Sequence, residues 1–169
     1  MERLCPQDFD EVYRLMEVSF PAAERRTREG QQALLEEADY RLWGERDSHG
    51  LLAFAAVWEL SPMTFVEHLA VDPVRRGGGT GSRMLAALAA QYGALCLEVE
   101  LPRTEMAARR VEFYRRNGFQ LYDYPYMQPP LSVGGDPVPL QIMTRGYPLD
   151  AASFAALREQ LYTRVYRVK

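Results

Sequence analysis

LAVDPVRRGGGTGSRML, residues 69–85, reads as the end of a β-strand, a sharp stop, a glycine turn and the opening of a helix. The strand is the run Thr64 to Val71. Asp72-Pro73 ends it, because proline cannot donate to a ladder and pushes the residue before it out of helical geometry. Gly77, Gly78, Gly79 and Gly81 come next. From Ser82 onward Leu85, Leu88, Ala89 and Tyr92 recur at helical spacing, and Gly93 can close that helix in a left-handed cap. Ala94 to Leu101 is the next strand. Strand, turn, helix and strand make a crossover, which requires a parallel pair at the centre of the sheet.

The same turn suits an anion. Backbone N–H groups at a helix N-terminus have no intrahelical partner, and the helix dipole favours negative charge there, so phosphate is the natural occupant. A P-loop would need GxxxxGK followed by Ser or Thr, and no lysine is near. A dinucleotide fingerprint would need GxGxxG, but counting from Gly79 puts Met84 at the third glycine and counting from Gly77 puts Ser82 there. The pattern that remains is Arg76-x-x-Gly79-x-Gly81. A turn without a ligand would need one or two glycines at positive φ, whereas four fall within five positions here.

Outward from this centre, Glu2 to Leu4 reads as a short strand. Pro6 is suited to starting a helix whose apolar face is Phe9, Val12, Tyr13, Met16 and Phe20. PAAERR, residues 21–26, breaks that pattern, and a second helix runs from about Thr27 to Ala38 with Leu34 and Leu35 as contacts. Tyr40 to Arg46 and Leu51 to Leu60 are strands joined by the turn Asp47-Ser48-His49-Gly50, and with Thr64 to Val71 they form an antiparallel meander. Beyond residue 101 come a helix from Glu105 to Asn117 closed by Gly118, a strand from Phe119 to Tyr122, and a long connection to a strand near Val138 to Met143. Asp150 can cap a last helix carrying Phe154, Leu157, Leu161 and Val165 on one face, with Arg164, Arg167 and Lys169 near its negative end. The expected fold class is α/β, an α+β mixed sheet flanked by helices.

The chain has 169 residues, 47% hydrophobic and 25% charged, which suits one folded domain and excludes a disordered chain. Twenty basic and 23 acidic residues leave a charge of −3, which argues against a surface built to neutralise nucleic acid. Cys5 and Cys96 lie far apart, without CxxC spacing or neighbouring histidines, so neither a metal site nor a disulfide framework is expected. No apolar stretch is long enough to span a bilayer, and MERLCPQDFDEVYRLM is too acidic for a signal peptide. A soluble, cytoplasmic protein is the expectation.

Two separated motifs, LAVDPVRRGGGTGSRML and RRVEFYRRNGF (residues 109–119), with the strand LCLEVEL (95–101) between them, resemble the GNAT superfamily of acyl-CoA-dependent N-acyltransferases. The resemblance covers residues 1–147 as an acyltransferase domain and leaves 148–169 as a C-terminal helical extension, packed on that domain or on a partner. It implies a mostly antiparallel central sheet with a splayed parallel pair, and acetyl-CoA as cosubstrate without a metal. Residue by residue, it implies that Arg76, Gly77, Gly78, Gly79, Thr80, Gly81 and Ser82 cradle the pyrophosphate. Leu69, Ala70 and Val71 would face the pantetheine, and Tyr114 would stand near the sulfur. The asparagine common upstream of that tyrosine is missing from MAARR (106–110), where Arg109 or Arg110 could substitute or simply form a solvated basic face.

The implied reaction is direct transfer of an acetyl group to a primary amine of a small molecule or peptide. The alternative is a non-catalytic acyl-CoA-binding module of the same fold. Tyr114 has the donor group to protonate a departing thiolate. For the base, strand alternation puts Cys96, Glu98 and Glu100 on one side of their strand, and a carboxylate buried there requires a partner or a purpose. Glu98 is the first candidate and Glu67 the second, while Glu100 suits a solvated or arginine-paired role and a water relay would dispense with any single base. His68 is read as alternating to the opposite face from Glu67 and as structural, and Cys96 as inert. The aromatic run Tyr122, Tyr124 and Tyr126 with Met127 and Gln128, broken by Pro125, either lines a pocket or covers the sheet edge. The loop Ser19 to Arg26 could form the opposite wall. The acceptor is not written in the residues, and a homodimer is compatible with them without being argued by any.

Overall fold

The computed structural model describes residues 1–168, so Lys169, read above as a cation of the tail, lies outside the described residues. In chain order the elements are β1 (Glu2–Arg3), α1 (Phe9–Ser19), α2 (Arg28–Ala33), β2 (Tyr40–Asp47), β3 (Gly50–Trp58), β4 (Thr64–Val71), α3 (Thr80–Tyr92), β5 (Leu95–Glu100), α4 (Glu105–Arg116), β6 (Gln120–Gln128), β7 (Val138–Arg145) and α5 (Ala151–Gln160), the last continuing into a wider π turn, Leu161–Val165. The strands form one sheet in the order β1-β2-β3-β4-β5-β7-β6. Among its pairs β4–β5 is parallel and the others antiparallel, the mixed architecture that the crossover predicts.

Both faces of the sheet are covered, which is why Ala53 to Trp58 in β3 are apolar without alternation and fully buried. On one face Val12 and Met16 of α1 meet Phe54, Phe65, Cys96 and Ile142, together with Phe154, Leu157, Leu161 and Val165 of the tail. On the other, Met84, Leu85, Leu88 and Val111 of α3 and α4 cover Ala55, Val57, Leu97, Val99 and Met143. The tail therefore shares the main core. It starts at Asp150, whose Oδ1 accepts from Ser153 N while Ser153 Oγ accepts from Asp150 N, both at 2.8 Å.

The parallel pair is short. β4 meets β5 only at Thr64↔Leu95 and Phe65↔Cys96, after which the strands diverge into a wedge. Just past that point β4 carries a bulge: Val57 pairs Val66, but Ala56 pairs His68, leaving Glu67 as the extra residue. A bulge bends its strand and resets the alternation of side chains. This corrects the reading of Glu67 and His68 as facing opposite ways. Both side chains lie on the α1 face, where Trp58 Nε1 donates to Glu67 at 3.1 Å and Phe20 packs edge-on against the His68 ring at 4.8 Å.

Other boundaries shift for local reasons. The helix after the glycine turn starts at Thr80 rather than Ser82, because Gly79 takes the N-cap at φ 73°. Gly93 ends it at φ 79° and ψ −91°, a positive-φ glycine but not the left-handed helical cap expected. β6 runs on to Gln128 instead of stopping at Tyr122. Pro125 is tolerated because β6 is an edge strand and its ladder is interrupted between Tyr122 and Tyr126. Tyr122 and Tyr126 are buried under α5, and Tyr124 stacks on Phe154 at 4.8 Å, so the aromatic run seats the tail.

Candidate active site

The wedge between β4 and β5 opens into a cleft of about 920 Å³. Its floor and walls bring together Glu67 to Val71, the glycine turn, Leu97 to Leu101, Arg109, Arg110, Phe113 and Tyr114 of α4, Ser19 to Glu24 in part, and Tyr166. Of the sequence-derived candidates, only Gly78 is outside the lining.

The turn is built to hold its N–H groups free. The first bond within α3 is Arg83 N to Gly79 O at 3.0 Å, which leaves the N–H groups of Thr80, Gly81 and Ser82 without helical acceptors. Gly77 and Gly79 adopt φ of 100° and 73°, positions that L side chains rarely take. Gly81 is needed for space, since a Cβ there would come within 3.1 Å of the Phe113 ring. Arg83, which the sequence reading overlooked, braces the turn through Gly78 O at 2.6 Å and Thr80 Oγ1 at 3.0 Å. Gly78 thus turns its carbonyl away from the cleft. Arg75 ties the start of the turn to Asp47 at 2.5 Å and to Leu51 O at 2.7 Å.

Asp72 N donates to Leu52 O across to β3. Strand alternation then turns the backbone of Ala70 to β3 and those of Leu69 and Val71 into the wedge. All three residues line the cleft, and two of them, Leu69 and Val71, turn their main-chain groups into it. Val71 O already accepts from Arg76 Nε at 3.3 Å, which draws that arginine back over the turn.

Glu98 lies in the cleft lining on β5, beyond the last residue paired with β4. Oε1 accepts from Tyr126 Oη at 2.6 Å, Oε2 accepts from Gln128 Nε2 at 2.6 Å, and the single Tyr166 O–H is shared between Oε1 at 2.7 Å and Oε2 at 2.8 Å. Burial outweighs these donors and pushes its carboxyl up to about 7 from the ordinary 4.5. Glu67 is different. It faces Arg26 at 2.7 Å, both side chains nearly excluded from water, and the guanidinium holds it below the ordinary carboxylate range against strong desolvation. The Arg26 N–H is not aimed along that approach, so the contact is an ion pair without a well-formed hydrogen bond.

Tyr114 sits between Phe113 and Phe119, ring centroids 5.2 and 5.5 Å away, and lines the cleft. Desolvation raises its phenol above the ordinary 10, partly offset by Arg110, so the group keeps its proton at neutral pH. Arg110 also approaches Glu100 at 3.6 Å, and Arg109 pairs with Glu105. His68 Nε2 meets Glu24 O at 3.0 Å, tying β4 to the loop after α1. Burial pushes the Cys96 thiol far up, so it stays protonated. Among the described residues no group of three or more His, Cys, Asp or Glu could hold a metal ion, and no helix is long and apolar enough to cross a membrane.

Residues 38–121 match the family model of the acetyltransferase (GNAT) domain. A solved structure from Bacteroides thetaiotaomicron, of a protein assigned to the GNAT acetyltransferases, superposes with a TM-score of 0.90 at 33% identity over 99% of this chain and 98% of that one. YjbC of Bacillus subtilis (strain 168), assigned to the acetyltransferases, is 31% identical over 111 residues; the match spans 64% of this chain but only 56% of YjbC. An aminoglycoside 6′-N-acetyltransferase complexed with coenzyme A has the same fold at 14% identity, with a TM-score of 0.65 over 89% of this chain and 97% of that chain. The matched domain ends before Tyr126, Gln128 and Tyr166, so the donors around Glu98 lie outside it.

Proposed function

The chain belongs to the GNAT acetyltransferase family, and on that premise we propose that it moves an acetyl group from acetyl-CoA directly to a primary amine of a small molecule or peptide. The observation that carries this reading is the cleft itself, which joins a free helix N-terminus to a partly buried carboxylate and a protonated phenol. Coenzyme A, when bound, supplies the acetyl group as a thioester. The N–H groups of Thr80, Gly81 and Ser82 would hold its pyrophosphate, with Gly77 and Gly79 giving the turn its path, and Leu69 and Val71 would meet its pantetheine arm.

An ammonium cannot attack a thioester, so the acceptor must first lose a proton. Glu98 is suited to take it, since a carboxyl near 7 is ionised in half the molecules at neutral pH and basic enough to be useful. Tyr114 keeps a proton at its hydroxyl to give to the departing thiolate. One proton leaves the amine and one reaches sulfur, and no covalent enzyme intermediate is needed. Glu67 is already committed to Arg26 and serves the architecture. The two functional groups facing one cleft favour an enzyme over a sensing module. We read residues 148–168 as part of the same folding unit, because their apolar face completes its core.

Two measurements check this reading. Coenzyme A at a hundred times its Kd should stabilise the protein by about 2.7 kcal/mol, seen as a higher Tm, while NAD leaves Tm unchanged; no shift with any acyl-CoA would overturn it. Tyr114→Phe should slow thiol release from acetyl-CoA in the presence of an accepted amine by about tenfold. The loss is below the usual range for a general acid because a thiol, with an ordinary pKa of about 8.5, departs without much help. A variant as fast as the wild type removes the acid role from Tyr114.

A further inference from the structure

The Glu98 carboxylate is gripped from the end of the chain. Leu161 to Val165 form a π turn that continues α5 without a break, and Leu161 and Val165 are buried in the core. Such a turn widens the helix by one residue and re-aims the next stretch of backbone, a device found mostly at functional sites. Here it delivers Tyr166, whose hydroxyl lies 2.7 and 2.8 Å from the two oxygens of Glu98. The same hydroxyl receives Gln128 Nε2 at 3.1 Å. The delivery is anchored on both sides. Arg26 Nη2 reaches Val165 O at 3.4 Å, Arg164 pairs with Asp39, and Arg167 pairs with Glu37.

We propose that Tyr166 is a positioning residue for Glu98: by holding both carboxylate oxygens from the tail it fixes the direction in which Glu98 faces the cleft and keeps it ready to take a proton. The inference rests on the reading of Glu98 as the base. Tyr126 holds one oxygen from β6 and Gln128 the other, but both come from the same edge strand. Among the described residues Tyr166 alone spans the two oxygens, and it approaches from a separate element. The titratable and charged groups that face Glu98 are Tyr126 on β6, Tyr166 on the tail, Cys96 on its own strand and Glu67 on β4, the last opposing its ionisation from within its pair with Arg26.

The sign is set by the donor. Tyr166 O–H stabilises the charged carboxylate, so its removal raises the pKa of Glu98. A hydrogen bond to a charged group corresponds to roughly one pH unit. The test is a ¹³C NMR titration of protein labelled at the glutamate carboxyl carbon, the Glu98 signal being the one absent from Glu98→Gln. We expect Tyr166→Phe to move that titration up by roughly one unit, with the coenzyme A-induced rise in Tm retained as evidence of an intact fold. Tyr126→Phe serves as a comparison that removes a donor to one oxygen. With an accepted amine, kcat/KM of Tyr166→Phe at pH 7 should fall roughly fivefold and recover at pH 9, whereas a merely structural loss would be the same at every pH. An unmoved Glu98 titration in a folded Tyr166→Phe protein overturns the inference. Full activity in Glu98→Gln would instead remove the base role beneath it, so the two failures are distinct.

Discussion

Replacing Glu98 by glutamine is expected to lower kcat/KM for amine acetylation about a hundredfold or more and, at the same time, to make the folded protein more stable above pH 7. The first effect is the loss of a positioned general base, the glutamine amide having no proton affinity to offer an ammonium. The second is a matter of linkage. The carboxyl titrates near 7 in the folded chain and near 4.5 when exposed. Between those values the folded state holds a proton that the unfolded state has released, so stability falls as pH rises through the window. Above it the ionised carboxylate costs the fold about 3 kcal/mol, a cost that a neutral side chain of the same shape largely removes. Melting curves at pH 5 and pH 8 should therefore diverge, with Glu98→Gln about 6–12 °C above wild type at pH 8 and within about 3 °C of it at pH 5. The same titration shapes the wild-type profile, in which kcat/KM rises through pH 7 and levels beyond it. A variant that kept wild-type activity would remove Glu98 from the chemistry.

The parts of this arrangement that sequence reveals are those governed by local rules. Asp72-Pro73 and the glycines after it can be read as a strand stop and a helix start because each has a short-range conformational reason. Glu98 stands out because a charge within an apolar strand conflicts with burial. The features that escape such a reading depend on register. The bulge at Glu67 has no signature in Val66-Glu67-His68, and a strict period of two assigns His68 to the wrong face as soon as one residue drops out of the ladder. The edge position of β6, which lets Pro125 sit inside a strand, is a property of the whole sheet. Tyr166 is invisible for a related reason. The apolar face Phe154, Leu157, Leu161 and Val165 predicts that the tail packs, but not that a π turn over Leu161–Val165 brings a phenol to a carboxylate 68 positions earlier. Arg83 likewise reads as one more cation on a helix until the fold sets it over Gly78 and Thr80.

Arg26→Met should be among the most damaging single changes to stability, by about 3–5 kcal/mol, because it leaves the Glu67 carboxylate buried without its counter-charge. In a chain of this size that corresponds to a fall in Tm of about 6–20 °C. The remaining neighbours cannot compensate: Trp58 Nε1 donates one hydrogen bond at 3.1 Å, and His68 Nδ1 stands 3.9 Å away on a ring that burial keeps from taking a proton. In the wild type the guanidinium holds Glu67 below its ordinary pKa, so the pair adds stability above that value and loses it on acidification. Without Arg26, burial outweighs the Trp58 hydrogen bond and raises the pKa of Glu67. The deficit should then be largest at pH 8 and shrink toward pH 5, where protonation removes the buried charge. Urea unfolding at the two pH values measures this. The double variant Arg26→Met with Glu67→Met should recover most of the loss, since two apolar side chains can replace a buried ion pair at little cost. Equal losses in the single and double variants would mean that packing around Arg26, not the charge of Glu67, sustains the loop after α1. Glu67→Met contributes nothing to any loss of acetylation under this assignment, so a deficit left in the stabilised double variant reads the loss of the Arg26 bond to Val165 O, which helps to seat Tyr166 beneath Glu98.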